Sequence, residues 1–152
     1  RGYDEAWLAR ARGTLARLSV VPEARLAAGL VPVHAMHDPT EGGVATGLWE
    51  LADAADVGLV VEAERIPVLP DGATLCREFG LDPLGTIASG ALLLALAPTD
   101  AGILLHALAR EGIDAAFIGR VVPREAGVVL TRAGRPTPLP RFDQDEITRL
   151  FG

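Results

Sequence analysis

One strand-to-helix segment of this sequence combines acidic, hydroxyl and glycine residues in an order that suits anion binding. It reads His34-Ala35-Met36-His37-Asp38-Pro39-Thr40-Glu41-Gly42-Gly43-Val44-Ala45-Thr46. The first amides of a helix have no intrahelical acceptor and lie at the positive end of its dipole, and glycines let a ligand approach them closely. Asp38 or Thr40 either caps the helix or faces a ligand or Mg²⁺. The alternative is a capped helix after a tight turn, with no ligand.

Two common nucleotide-binding patterns are absent from the sequence. No G-x-x-x-x-G-K-[ST] loop occurs, and no G-x-G-x-x-G follows a predicted strand. A nucleotide bound at the glycine segment would therefore need a different mode of phosphate recognition from either of these two loops.

The pair Ser89-Gly90 is a second candidate for contact with a ligand, since it precedes the apolar run Ala91–Ala97. It is not a nucleophile elbow, because the G-x-S-x-G pattern is missing. The pair is therefore either a turn that leads into a strand or a loop that faces substrate.

The histidines and the cysteine are not arranged as metal ligands. His34 and His37 lie three residues apart where a strand runs into a loop, so they point to different faces. His106 lies inside a predicted helix, and Cys76 is interpreted as a buried structural cysteine. We therefore predict no transition-metal site.

The bulk composition is typical of one globular domain. The chain has 152 residues, of which 49% are hydrophobic and 22% charged, so it can form a core without disulfides. A net charge of −6 without a basic run argues against nucleic acid as a partner. A single cysteine and the lack of a membrane-length apolar run predict a cytoplasmic protein. Because the first residue is Arg1 rather than Met, we interpret the chain as an excised piece, with a processed chain as the alternative.

Hydrophobic periodicity predicts the helices around the glycine segment. The clearest helix covers residues 43–56, where five apolar residues fall on one face: Val44, Leu48, Leu51, Ala52 and Ala55. Further helices are predicted over residues 3–18, 22–28, 71–79, 99–111 (with Thr99 as the N-cap) and 144–150.

Short apolar runs predict the strands. Residues 31–36 and 59–62 flank the main helix, and 91–97 is predicted as a central strand buried on both faces. Residues 115–122 and 128–131 are predicted to pair as a hairpin. Together the elements indicate an α+β fold, with a mixed β-sheet and helices mainly on one side.

Two segments resemble motifs of the AIR synthase-related family, and most closely those of its hydrogenase maturation branch, HypE. Residues 33–46 are similar to the motif VHAMRDPTRGGLAT, and residues 80–84 followed by 87–93 are similar to the later GLDPL … SG/EG-x-L pattern. Two motifs in the right order, about forty residues apart, are more specific than either alone. The likeness covers about residues 15–140 and corresponds to the family's C-terminal domain only.

The resemblance implies a PurM C-terminal domain-like fold within an enzyme that uses ATP and Mg²⁺ to activate an oxygen of a small-molecule substrate. The family's N-terminal domain, absent from this chain, carries the Mg²⁺-binding carboxylates and the main homodimer interface. This chain is therefore expected to be inactive alone, and no catalytic residue is assigned to it. Six residues would line the nucleotide and substrate cleft by correspondence: Asp38, Thr40, Gly42, Gly43, Ser89 and Gly90.

The sequence departs from the HypE pattern in its loop and at its end. His37 and Glu41 stand where the motif has arginine, which removes two cations from a phosphate-facing loop. HypE works through a C-terminal cysteine, and residues 148–152 contain none, so with Gly152 as the native end its thiocyanate chemistry is not available. The alternative is a non-catalytic ligand-binding or protein-interaction module that acts with a separate partner.

Overall fold

The structure is a computed structural model that describes residues 2–151; Arg1 and Gly152, used above as the sequence ends, lie outside the described residues. Its helices are α1 (Glu5–Gly13), α2 (Val21–Leu30), α3 (Gly43–Ala55), α4 (Pro70–Phe79) and α5 (Pro98–Arg110). Its strands are β1 (Val33–His37), β2 (Gly58–Glu62), β3 (Leu93–Leu96), β4 (Gly119–Val122), β5 (Val128–Arg132) and β6 (Arg135–Pro138). Short 3-10 helices cover Thr14–Arg17, Ala63–Arg65, Arg124–Ala126 and Glu146–Leu150.

The strands form two sheets rather than the single sheet predicted. β1 and β3 pair antiparallel, with His37 opposite Leu93. The other sheet has the order β4-β2-β5-β6, in which β2 runs parallel to β5 and antiparallel to β4. The predicted α+β class and the mixed character of the sheet are confirmed.

Helix α3 lies between the two sheets and forms the centre of the main core. Its buried face packs with the inward side chains of β2 and β5, in a cluster that includes Ala45, Leu48, Ala52, Leu59, Val61, Val128 and Leu130. On its other side, Gly47 leaves room for the side chains of His37, Pro39 and Leu93. The periodicity of residues 43–56 therefore correctly predicted the helix around which the domain is built.

A second, smaller core covers the other face of the β1–β3 pair. Ala27 and Val31, at the end of α2, pack with Leu104 and Leu108 of α5. Val33, Leu94 and Leu96 of the two strands are partly buried against this cluster. Helices thus cover both faces of the β1–β3 pair.

Two strand predictions are wrong. Of the apolar run 91–97, only Leu93–Leu96 is a strand, and in the described chain it pairs with β1 alone. Its apolar character comes from helices on both faces and not from strands along both edges. The predicted hairpin does not form between the described strands, because β4 and β5 both pair with β2 from opposite sides. The hydrophobic pattern of a strand indicates which of its faces are buried, whereas the strands that pair with it depend on contacts between residues far apart in sequence.

The helices predicted over 22–28 and 71–79 are confirmed. Three other predicted helices differ from the structure in where they begin or in helix type. The helix predicted over 3–18 becomes a 3-10 helix after Gly13. Ala97 rather than Thr99 is the N-cap of α5, since Pro98 suits the first helical position. The helix predicted over 144–150 is a five-residue 3-10 helix. Across residues 2–151, no helix has both the length and the apolar composition needed to cross a membrane.

Candidate functional site

The two motif loops meet at the N-terminus of α3. Gly42 and Gly43 have φ angles of 74° and 66°, a region that glycine adopts without steric cost. A Cβ atom on Gly43 would lie 2.7 Å from the Thr86 carbonyl oxygen and even nearer to that of Leu84. Gly43 is therefore required by the close approach of the second motif loop as well as by its own backbone angle.

Backbone hydrogen bonds join the two loops directly. The Ala45 N–H donates to the Leu84 carbonyl oxygen at 2.9 Å, and the Ala88 N–H donates to that of Thr40 at 3.1 Å. We call the exposed surface formed by residues 38–41 and 87–90 the loop junction. Two segments that are distant in sequence thus form one continuous surface.

A third segment, the C-terminal residues around Asp145, binds the glycine turn, and no pattern in the sequence predicted this contact. Asp145 Oδ2 accepts the Gly42 N–H at 2.8 Å, and its Oδ1 accepts the Ile147 N–H at 2.9 Å. Asp145 is only 7% exposed. Two backbone amides replace the water that this carboxylate loses on burial. Because Asp145 lies in a polar stretch, at the start of the short helix predicted over residues 144–150, its sequence context does not distinguish it from a surface residue.

Glu146 holds the second motif loop in the same way. Its Oε2 accepts the Asp82 N–H at 2.9 Å and the Arg149 guanidinium at 2.8 Å. Its own N–H donates to the Gly85 carbonyl oxygen at 2.9 Å. The hydrogen bond from the Asp82 N–H, which outweighs the opposing effect of burial and is aided by Arg149, lowers the pKa of Glu146.

The substitution Glu146→Gln should reduce the loss of stability that acid causes. Because the pKa of Glu146 is lower in the folded state, its contribution is fully present above the unfolded pKa of about 4.3 and is lost as pH falls through the folded value. The unfolding free energies of wild type and variant should therefore differ most near neutral pH and converge at acid pH. Urea denaturation across this range measures the difference, and a gap that does not change with pH would contradict the expectation.

The structure changes the role expected for the glycine amides. The N–H groups of Gly42, Gly43 and Ala45 already donate to Asp145, Thr40 and Leu84, respectively. Gly42 and Gly43 are themselves buried. The prediction that this helix start presents free amides to a ligand is wrong for these three groups. Gly43 instead allows the second motif loop to pack closely, and Gly42 joins the turn to Asp145.

The other four predicted site residues are exposed on the loop junction. Asp38 and Thr40 belong to the first loop, and Ser89 and Gly90 belong to the second. The hydrogen bond between the Ala88 N–H and the Thr40 carbonyl places the backbones of the two pairs side by side. These four residues therefore offer one carboxylate and two hydroxyl groups to a ligand.

The N-terminal segment packs against one end of the junction. A Cβ atom on Gly90, whose φ is 94°, would lie 3.2 Å from both the Arg17 carbonyl oxygen and the Leu18 Cα. The side chains of Leu18 and Ile87 are nearly half exposed, at 45% and 47%. The junction thus has an apolar rim beside its polar centre.

His37 lies at the other end of the first loop, with its ring against α3. Its Nε2 is 2.6 Å from Glu50 Oε2, whereas His34 is exposed. Cys76 is buried in α4 as predicted, with its Sγ 3.8 Å from Thr86 Oγ1. Among residues 2–151, no three His, Cys, Asp or Glu side chains are placed together as a metal site.

The groups on the junction suit hydrogen bonds to a nucleotide but do not amount to a Mg²⁺ site. The hydroxyls of Thr40 and Ser89 can donate to phosphate or ribose oxygens. Mg²⁺ is usually held by one or two carboxylates together with substrate phosphates and water. Asp38 and Glu41 are the exposed carboxylates of the first loop. These two carboxylates alone would therefore fill at most two of the roughly six octahedral positions around a Mg²⁺ ion.

A small cleft of about 180 Å³ lies elsewhere, beside the C-terminal half of α3. The Arg141 guanidinium there stacks 3.6 Å from the centre of the Trp49 ring and lies 3.9 Å from Asp53. Arg124, across the cleft, pairs with Asp56. Both arginines thus have carboxylate partners, and the cleft does not include the loop junction.

Comparison with known proteins identifies the family. Residues 2–131 match the family described as AIR synthase related protein, C-terminal domain. Carbamoyl dehydratase HypE of Rhodobacter capsulatus is 36% identical over 142 residues, which are 86% of this chain and 42% of that relative. The chain therefore spans less than half the length of this curated relative.

Solved structures of HypE contain the same fold. The crystal structure of Escherichia coli HypE matches with a TM-score of 0.76 and 31% identity, over 86% of this chain and 42% of that chain. A structure of HypE in complex with ATP matches with a TM-score of 0.70 and 31% identity, over 80% of this chain and 39% of that chain. The chain belongs to the AIR synthase-related family, and it corresponds to that family's C-terminal domain.

Proposed function

We propose that this chain is the C-terminal half of an ATP-dependent enzyme of the HypE type, with the loop junction as one wall of the ATP and substrate cleft. The observation that carries the proposal is the direct hydrogen bonding between the two motif loops. It brings Asp38, Thr40 and Ser89 to one exposed surface. Both motifs on which the family likeness depends therefore converge, as a shared binding site requires.

The relatives support ATP as the nucleotide and a carbamoyl group as the substrate class. One similar structure is HypE in complex with ATP, and the curated relative is a carbamoyl dehydratase. Dehydration of a carbamoyl group removes its oxygen and both of its N–H protons, and leaves a nitrile. In this proposal the γ-phosphoryl group of ATP is transferred to that oxygen, with ADP as the leaving group, and the oxygen then departs as phosphate while the nitrogen loses its protons. In this proposal the hydroxyls of Thr40 and Ser89 bind oxygens of the nucleotide or substrate, and the Asp38 carboxylate accepts a hydrogen bond from the ribose or a carbamoyl N–H.

The remainder of the active site belongs, in this proposal, to an N-terminal domain like that of the longer relatives. This chain covers 42% of the Rhodobacter capsulatus protein. The exposed side chains of Leu18 and Ile87 beside Ser89 suit a surface that such a domain covers. Full burial of an exposed leucine or isoleucine contributes about 1.5–3 kcal/mol, and about half of that applies to each of these half-exposed side chains, so these contacts favour a closed cleft. The Mg²⁺ ligands and the homodimer interface are assigned to that domain, and this chain alone is expected to be inactive.

A non-catalytic module that binds a small ligand or a protein partner is the second candidate. It is favoured by His37 and Glu41, which stand where the HypE motif has arginine. His37 also has a carboxylate neighbour, because its Nε2 lies 2.6 Å from Glu50 Oε2. The loop therefore offers less positive charge to a triphosphate than the HypE motif does.

Thermal unfolding with and without Mg·ATP tests the proposed function. A ligand present at about 100 times its dissociation constant stabilises the folded state by about 2.7 kcal/mol. We expect ATP to raise the unfolding temperature of the full-length protein, and Asp38→Ala to reduce that increase. Glu125→Ala is the matched control, because Glu125 is an exposed carboxylate in the 3-10 helix before β5, outside both motif loops.

The outcomes separate the two candidates. An increase that Asp38→Ala removes and Glu125→Ala retains supports the nucleotide cleft. The same measurement on residues 1–152 alone then reports whether this half suffices for binding. A full-length protein that gains no stability from millimolar ATP, or gains equally with Asp38→Ala, contradicts the cleft assignment and favours the binding module.

A further inference from the structure

We propose that Asp145 and Glu146 are positioning residues that set the geometry of the candidate nucleotide cleft. The inference rests on the proposed function, because it concerns the loop junction assigned to that cleft. The two carboxylates are adjacent in sequence, and each binds a different motif loop. Neither residue is exposed to a ligand on the junction: Asp145 is buried, and the Glu146 side chain is only 14% exposed.

Asp145 binds the first loop at Gly42, where the backbone turns into α3. Its Oδ2 accepts the N–H of Gly42 at 2.8 Å, immediately before α3 begins. The negative charge also lies at the N-terminal end of that helix, where the helix dipole stabilises it. Oδ1 accepts the Ile147 N–H at 2.9 Å, so the carboxylate ties the turn to the C-terminal segment.

Glu146 fixes the second loop by contacts at two points. Its side chain accepts the Asp82 N–H at 2.9 Å, and its backbone N–H donates to the Gly85 carbonyl at 2.9 Å. The Asp82 side chain in turn accepts the Leu84 N–H at 2.9 Å, and the Asp82 backbone carbonyl accepts the Thr86 hydroxyl at 2.8 Å. The loop that leads to Ser89 is therefore held from its start.

The hydrogen bonds between the two loops, together with those to Asp145 and Glu146, connect three chain segments in a ring. The first loop is bonded to the second through Ala45 and Ala88, and both loops are bonded to one dipeptide. Because one peptide unit joins Asp145 to Glu146, the distance between their two anchoring points is nearly fixed. The dipeptide therefore determines how the exposed groups of the two loops face each other.

The C-terminal segment that carries Asp145 and Glu146 lies beyond the residues matched to the family. The match ends at residue 131, whereas the two carboxylates are at residues 145 and 146. Long-range contacts hold this segment on the domain. The Leu139 side chain, which is 2% exposed, packs in the main core, and the Leu139 N–H donates to the Val128 carbonyl oxygen.

Amide hydrogen exchange and ATP binding in the full-length protein together test the inference. The variants are Asp145→Ala, Asp145→Asn and Glu146→Gln, with Asp143→Ala as the control because Asp143 is an exposed carboxylate on the same segment. In Asp145→Ala we expect the Gly42 amide to exchange at least about tenfold faster, while amides in β2 and β5 keep wild-type rates. Asp145→Asn keeps one carbonyl acceptor, so its effect should be smaller, and it serves if the alanine variant does not fold.

The affinity for ATP, measured by calorimetry, is the second readout. We expect Asp145→Ala and Glu146→Gln to weaken binding by about fivefold or more, with Asp143→Ala unchanged. Unchanged exchange at Gly42 would overturn the inference, and so would tighter ATP binding in Asp145→Ala, which would mean that Asp145 occupies a site meant for a phosphate. A wild-type protein that does not bind ATP contradicts the proposed function, while the exchange rates still decide whether Asp145 orders the loop.

Discussion

Replacement of Gly43 by alanine is expected to destabilise the domain by about 3–4 kcal/mol. The left-handed backbone costs a residue with a Cβ atom about 1–2 kcal/mol, and overpacking of a filled site typically costs another 1–3 kcal/mol. Both terms apply here, since Gly43 has a φ of 66° and its Cβ would overlap the carbonyl oxygens of Leu84 and Thr86. Backbone atoms cannot move aside as a flexible side chain can. For a chain of this size the unfolding temperature should fall by about 10 °C.

Gly80→Ala is a matched control for that prediction. Gly80 has a nearly identical φ of 67°, but nothing lies within 4 Å of the Cβ that alanine would add. Its substitution should therefore cost only the backbone term, about 1–2 kcal/mol. The difference in unfolding free energy between the two variants, obtained by urea denaturation, isolates the effect of loop packing. Equal losses in both variants would show that the second motif loop does not press against Gly43.

Replacement of Leu139 by alanine is expected to cost about 3 kcal/mol. Leu139 is 2% exposed and belongs to the main core, although it lies beyond β6 in a stretch rich in proline and charge. Leucine-to-alanine changes in a core typically cost about 2–5 kcal/mol, because the surrounding side chains only partly fill the cavity. The same change should also loosen the attachment of the segment that carries Asp145.

Leu15→Ala is the control for Leu139→Ala, since the Leu15 side chain is 69% exposed. Substitutions at exposed positions usually change stability by about 0.5 kcal/mol or less. Chemical denaturation of both variants measures the contrast. If Leu139→Ala were as mild as Leu15→Ala, the C-terminal segment would not be part of the cooperative core, and its control of the motif loops would lose its physical basis.

The sequence alone determined the main helices and the family of this protein. The apolar face of residues 43–56 specified α3, because burial at a 3.6-residue period leaves a pattern along the chain. The glycine segment and the second motif carried the family likeness, which the match over residues 2–131 confirms. The burial of Cys76 was also predicted, since a free cysteine inside a helix behaves as a small apolar side chain.

Only the tertiary structure decided which distant groups meet. The arrangement of β4 and β5 on either side of β2 depends on contacts between residues that are far apart in sequence, and local apolar patterns do not encode such neighbours. The same holds for the glycine turn, whose expected free amides are bound by Asp145 and by loop carbonyls. A single aspartate in a polar stretch looks like a surface residue in sequence. Burial and two amide donors, which arise only when the chain folds back on itself, give Asp145 its role.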